Sequence, residues 1–320
     1  MKGWQRCLGL TGLIFLTACG EPTPQPLSEI TGLDPGHIAP AVQSHLDEAQ
    51  RGVTAARRKG DKAMAWAQLA QVYQAYGINS VAVVAYQNAL SLMPDQNRWR
   101  YLLGHAYLAL DRHEEALSAF EVCIVEADVL PRDRELLALA HRAAAESLLV
   151  TGQLEEARRH ATDTLKLAPA DPHAWHVLAR IEGAAGRARE AVDAYERVRR
   201  LAPSADRIYA RMSQLVRQLG DPARAASLAQ RTGERAVPRT DGLLAAVYGL
   251  KRGPDADIGR GLQAFQEGDY ARAAAAYDRA LTDAPENAAA LLGLAAARLK
   301  LNDGAGAEDL MLTLTRLQPR

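Results

Sequence analysis

Three cysteines, three phenylalanines and no net charge in 320 residues are the first limits this sequence sets. Cys7 and Cys19 flank the early apolar run, so a chain cut there keeps at most Cys19 and Cys123. A disulfide framework is excluded. Basic and acidic residues balance at 38 each, so no global field points to nucleic acid. Aromatics are only 5% while alanine is abundant, which favours close-packed helices over a sheet. The first apolar run is about eleven residues, short of the roughly 20 needed to span a bilayer. Catalytic signatures are missing too: there is no G-x-S-x-G, no H-E-x-x-H, no phosphate loop and no Cys-x-x-Cys. The reading is of a protein that is not an enzyme and needs no cofactor.

What is present begins at the N-terminus. MKGWQR, CLGLTGLIFLT and AC give a basic segment, an apolar run and a small residue ahead of Cys19, the layout of a secretory signal. Leu16-Thr17-Ala18-Cys19 resembles the lipobox of bacterial lipoproteins. That resemblance implies lipid transfer to the Cys19 sulfur, cleavage after Ala18 and acylation of the new amino group. Several acyl chains give a lasting anchor where one is marginal. Losing residues 1–18 removes Lys2 and Arg6 and leaves a charge of about −2. From Gly20 to Pro40, Pro22, Pro24, Pro26, Pro35 and Pro40 mark a semi-extended tether. In such lipoproteins an Asp after the cysteine favours the inner membrane. Gly20 stands there, so the resemblance points to the outer membrane, with the protein facing the periplasm.

After residue 60 a period of 34 residues takes over. Trp66, Leu69, Tyr73, Gly77, Ala82, Tyr86, Ala89 and Pro94 set the pattern. Leu103, Gly104, Tyr107, Ala116 and Phe120 repeat it, and Gly152, Ala157 and Pro169 continue it. Trp175, Leu178, Gly186, Ala191, Tyr195 and Pro203 follow, then Gly220 and Ala225. Gly268, Ala273, Tyr277, Ala280 and Pro285 resume it, and Leu294, Ala307 and Pro319 close it. The pattern resembles the tetratricopeptide repeat, a helix–turn–helix unit. It implies an all-α, right-handed α-solenoid. Small residues at the eighth and twentieth positions let paired helices approach closely. Glycine near position 15 caps the first helix and proline at position 32 stops the second. One pair cannot bury its apolar face alone, so neighbours stack.

The period places repeats 1–5 at 63–236 and repeats 6–7 at 254–320. A phase slip of about seven residues around Pro131 reads as an extended connection. Gly220 and Gly268 lie 48 residues apart, so residues 237–253 are an insertion, with Pro238, Thr240-Asp241-Gly242 and the helical-looking LLAAVYGLKRG. Such segments usually project from a solenoid, either as a neutral spacer or as a functional loop. Residues 41–60 put Val42, Leu46, Ala49, Val53 and Ala56 on one helical stripe, with Arg57-Arg58-Lys59 in its last turn, an N-terminal cap. At the other end Leu312 takes a position that is polar in the other repeats, so a homodimer or partner contact competes there with a merely greasy chain end.

The resemblance also assigns the ligand-facing positions of each first helix. They fall on Arg98, Tyr101 and His105, on Arg142 and Glu146, on His173, His176 and Arg180, and on Arg207, Gln214 and Arg217. A nearly neutral chain would thus gather cations and hydrogen-bonding groups in one groove, suited to an acidic peptide segment. The family's carboxylate clamp of paired Lys and Asn is not reproduced. His173 and His176 are three apart, and an alternative reading makes them metal ligands of an accessory protein or enzyme. Another is a self-associating structural subunit. Cys123 reads as a buried core thiol. The leading expectation is a membrane-anchored periplasmic scaffold that binds protein partners and helps assemble an envelope complex.

Overall fold

The computed structural model describes residues 40–129, 133–266 and 268–317. Cys19, the lipobox, the tether up to residue 39, the connection at Pro131 and the last three residues lie outside the described residues.

Among the described residues the chain forms sixteen α-helices and no strand. α1 (Pro40–Ala55) precedes five helix pairs. These are α2 (Lys59–Ala75) with α3 (Asn79–Leu92), α4 (Asn97–Leu108) with α5 (His113–Val129), and α6 (Arg134–Val150) with α7 (Leu154–Leu167). α8 (Pro172–Ala184) with α9 (Ala188–Leu201) and α10 (Ile208–Gln218) with α11 (Pro222–Ala229) complete the five. A short helix, α12 (Gly242–Gly249), stands alone. Two more pairs follow: α13 (Pro254–Gln266) with α14 (Tyr270–Asp283), and α15 (Ala288–Lys300) with α16 (Gly304–Leu317). The helices form an α-solenoid of 34-residue units.

The turn inside each pair needs a left-handed residue. Gly77, Gly152, Gly186, Gly220 and Gly268 supply it with φ between 76° and 85°. In repeats 2 and 7 the same place is taken by Asp111 (φ 57°) and Asn302 (φ 63°), short polar residues that tolerate this region. Small residues set the spacing of the pairs: a methyl group on Gly104 would collide with the Phe120 ring. Repeats are also stitched by buried polar bonds. The Tyr86 hydroxyl donates to Gln74 (2.7 Å), whose amide donates to the Leu102 carbonyl of the next repeat (3.1 Å). The buried Glu182 carboxylate accepts from Arg158 and Arg187.

Leu46, Ala49 and Val53 of α1 are buried on the first pair. The Arg57-Arg58-Lys59 run does not sit in the last turn of α1. That helix ends at Ala55, Arg57 and Arg58 form the link, and Lys59 opens α2.

The larger departure is at the insertion. α12 does not project outward. It packs on α2 and α4, the first helices of repeats 1 and 2, and buries Leu244 and Val247 in the cluster that holds Leu46, Tyr73 and Tyr101. α13 then begins at Pro254 beside the start of the solenoid, where Arg252 pairs with Glu48 of α1 (2.7 Å). Repeats 6 and 7 keep their own core around Ala264, Tyr277 and Leu294. The period resumes in the sequence, but α13 to α16 pack chiefly on one another.

Candidate peptide-binding groove

The first helices of successive pairs, α2, α4, α6 and α8, touch one another in a row and form the inner wall of the solenoid. Their ligand-facing residues divide into two groups, because the chain from α11 to α12 runs back along this wall.

The return begins at α10. Asp206 accepts from the Arg235 backbone (2.8 Å) and side chain (2.7 Å), and the Arg207 amide donates to the Arg235 carbonyl (3.1 Å). Arg239 reaches Glu146 (3.3 Å), and Arg142 donates to the Thr240 carbonyl (2.9 Å). Asp241 is buried and works twice. One oxygen caps α12 through the Leu244 amide (3.0 Å); the other accepts from the Tyr101 hydroxyl (2.6 Å) and lies 3.8 Å from Arg142. At the far end the Arg252 amide donates to the Tyr76 hydroxyl (2.7 Å).

This contact fixes the electrostatics beneath it. Arg142 is 2% exposed and also bonds Asp171 (2.7 Å). Burial pushes the Tyr101 hydroxyl up, and Asp241 adds to the effect. Burial and then Arg239 lower His105 to about 4, against the opposing pull of Asp241 and Glu146. Burial raises the Glu146 carboxyl, but the His173 bond and the charges of Arg239, His173 and Arg142 outweigh it and hold it at about 2. Two buried nitrogens, Arg142 Nε and His105 Nε2, have no hydrogen-bond partner among the described residues.

Beside this covered stretch lies an open cleft of about 600 Å³ across repeats 3–5. Its apolar floor includes Leu149, Ile208 and Tyr195, and Val237 of the returning segment forms one wall. Arg180, Arg207, Arg211, His173 and His176 line it, and no carboxylate does. The side chains of Arg180 and Arg207 have no hydrogen-bond or ion-pair partner among the described residues. Nδ1 of both histidines is buried without a partner. Burial first, then His173 and Arg180, lower His176 to about 4, so it enters the cleft as a neutral imidazole at pH 7.

The residues assigned to the groove thus have different duties. Tyr101, His105 and Arg142 lie under the returning segment, and Glu146 is tied to His173 (2.7 Å) and Arg239. Arg98 is exposed and holds Asp133, the N-cap of α6 (2.8 Å). His173, His176, Arg180 and Arg207 line the open cleft together. Gln214 accepts from Arg211 (2.9 Å), a cleft residue that the positional rule skipped, while Arg217 is exposed away from the lining. As metal ligands His173 and His176 find no company: among the described residues no three His, Cys, Asp or Glu groups are placed to hold an ion. Cys123 is buried, its thiol pushed up to about 12 by burial, and it donates to the Asn97 carbonyl (3.4 Å).

Tetratricopeptide-repeat family models match residues 67–128, 142–206 and 176–238, and residues 264–320. Together these stretches are more than half of the 320 residues, and the chain belongs to the tetratricopeptide-repeat family. α12 falls in the unmatched gap. Among solved structures the chain is similar to PilW, a widely conserved type IV pilus biogenesis factor: 20% identity, 59% of this chain, 84% of that one, TM-score 0.51. It is also similar to MamA (41 to end) from Desulfovibrio magneticus RS-1: 18% identity, 54% and 94% coverage, TM-score 0.49. PilF of Pseudomonas aeruginosa shares 17% identity over 82% of this chain and 95% of that one, TM-score 0.42. No curated protein matches. At these identities the likeness carries the fold alone.

Proposed function

We propose that this chain, as a tetratricopeptide-repeat protein, is a binding scaffold that holds an acidic segment of a protein partner in the open cleft of repeats 3–5. The composition of the cleft carries the reading: three guanidinium groups and two imidazoles face an apolar floor, no carboxylate lines it, and Glu146, which pairs with His173, is already shared with Arg239. A guanidinium fork takes a carboxylate through two parallel bonds, and the floor takes the apolar side chains between them. No catalytic step is assigned to the site.

The lipobox supports a site of action. With Cys19 lipidated, the solenoid is tethered to the outer membrane, faces the periplasm, and serves there in the assembly of an envelope complex. The exposed Met311 and Leu312 on α16 support a homodimer contact through the C-terminal helix.

The test is charge reversal of Arg180, Arg207 and Arg211 to Glu, followed by crosslinking capture of partners from cell envelopes. Partners caught by the unaltered protein should be lost. An unchanged set would overturn the acidic-segment reading. Two further variants address the finer points. Cys19→Ala should release the protein from membranes, and retention through a high-salt wash would refute the anchor. Leu312→Glu should dissociate a dimer, and an unaltered sedimentation profile would reject that contact.

A further inference from the structure

The covered stretch of the inner wall shows in detail what it recognises. Its occupant is a short helix opened by an aspartate, with apolar side chains three and six residues later: Asp241, Leu244 and Val247. Tyr101 and Arg142 read the carboxylate, and the cluster around Leu46, Tyr73 and Tyr101 takes the two apolar groups.

The occupancy is incomplete. Leu244 and Val247 are the only buried residues within α12, and Tyr248 is 50% exposed. Arg142 Nε and His105 Nε2 lie buried beneath it with no partner among the described residues. The lead-in from residue 231 to Asp241 has neither helix nor strand. Open space lies on both sides of it, since Val237 edges the cleft of repeats 3–5 and Thr240 edges another of about 440 Å³ beside α6 and α8. The segment is held through side chains at separate points: Asp241 on Tyr101 and Arg142, Leu244 and Val247 in the cluster with Leu243 and Leu250 packed beside them, and Arg252 on Glu48 and Tyr76.

We propose that the inner wall of repeats 1–3 is a second peptide-binding site, distinct from the open cleft. Its partner is a helix with an aspartate N-cap and apolar residues at the third and sixth positions after it, and residues 240–252 occupy it in cis until that partner displaces them. A partner that brings one more acceptor beside its aspartate outcompetes the chain's own segment, because it satisfies the Arg142 Nε–H that segment leaves open. The inference rests on the scaffold reading but on different residues from the open cleft.

The probe is a fluorescently labelled peptide of residues 236–253, followed by anisotropy against the full-length chain. Asp241→Ala with Leu244→Glu frees the site in cis without touching its walls. The peptide should bind this variant saturably and the unaltered protein at least about tenfold more weakly. A peptide carrying Asp241→Asn should lose about tenfold in affinity. No binding to a variant that keeps its helical spectrum and cooperative melting overturns the proposal, and so does equal binding to both proteins. Where the double variant fails to fold, hydrogen exchange of the unaltered protein decides. Excess isotope-labelled peptide should speed exchange of the chain's own 242–250 amides, and unchanged rates at millimolar peptide overturn the idea. Failure here, with partners still lost on reversing Arg180, Arg207 and Arg211, sinks the second site and leaves the open cleft standing. The opposite pair of results sinks the cleft alone.

Discussion

The inner wall of this solenoid is built twice from the same repeat, closed over in repeats 1–3 and open in repeats 3–5. Both stretches carry arginine and histidine at equivalent positions of successive first helices. In the closed stretch Arg142 is buried against Asp171, Asp241 and the Thr240 carbonyl. In the open one Arg180 faces solvent with no hydrogen-bond or ion-pair partner among the described residues. The difference lies outside the repeats: an insertion brought in from beyond repeat 5 turns one row of ligand-facing residues into core. The same side chain is structural where a carboxylate has been supplied and available where it has not.

The strongest way to break this comparison is to remove the buried cation. Arg142→Met should destabilise the protein by about 3–5 kcal/mol, because the buried Asp241 and the part-buried Asp171 lose their compensating charge. Chemical denaturation measures it. A loss no larger than that of an exposed arginine would mean that the closed stretch is not the packed unit described above.

Acid probes the same region next. His105 has a folded value near 4, lowered by burial and Arg239 and opposed by Asp241 and Glu146, against 6.5 for the free side chain. The unfolded chain therefore takes up this proton first. Stability is complete above about pH 6.5, falls as pH drops toward 4, and levels below it, a loss of about 3 kcal/mol. His160 and His176 shift the same way and deepen the slope. In His105→Leu the urea midpoint should fall less steeply across that window. An identical slope would show that His105 is not held neutral by the closed stretch.

How much of this was legible in the sequence follows from what a repeat records. The 34-residue period records the packing of a helix on its own partner, so the helix pairs, their glycine turns and the buried Cys123 could be read directly. Asp111 and Asn302 in two of the left-handed turns departed from glycine, yet phase alone marks both positions. Stacking between pairs leaves a weaker trace. Repeats 6 and 7 carry the full pattern, Gly268 to Pro285, and still build a separate core, because nothing in Tyr277 or Ala273 states which neighbour they meet. Positional rules put Arg180 and His176 on the inner wall, where both line the cleft, passed over Arg211, and gave no sign that Tyr101 and Arg142 are covered. The hidden partner, Asp241, lies 140 residues from Tyr101 in a segment with no period of its own. The one local sign was Thr240-Asp241-Gly242 ahead of an apolar run, a helix N-cap that marks a helix without saying where it docks.

A single oxygen tests the closed stretch more finely. Tyr101→Phe keeps the ring among its neighbours and deletes the hydroxyl that donates to Asp241 at 2.6 Å. The carboxylate stays buried with one donor fewer, at a cost of about 2 kcal/mol in a denaturation experiment. Partner capture by the open cleft should not change, since Tyr101 does not line it. If capture falls together with stability, the two stretches act as one site and the comparison fails.

Arg180→Ala reverses that pattern and carries the smallest energetic effect. The side chain is exposed and bonded to nothing among the described residues, so stability should stay within about 0.5 kcal/mol of the unaltered protein. Capture of an acidic partner should nevertheless drop, because the guanidinium is one of three that line a cleft with no carboxylate in its lining. Arg180→Lys then separates charge from shape. An ammonium keeps the charge but cannot offer two parallel bonds, so full capture by the lysine variant would mean that the cleft attracts its partner by field alone. Partial recovery, with the lysine variant between arginine and alanine, is the result expected of a fork that grips a carboxylate.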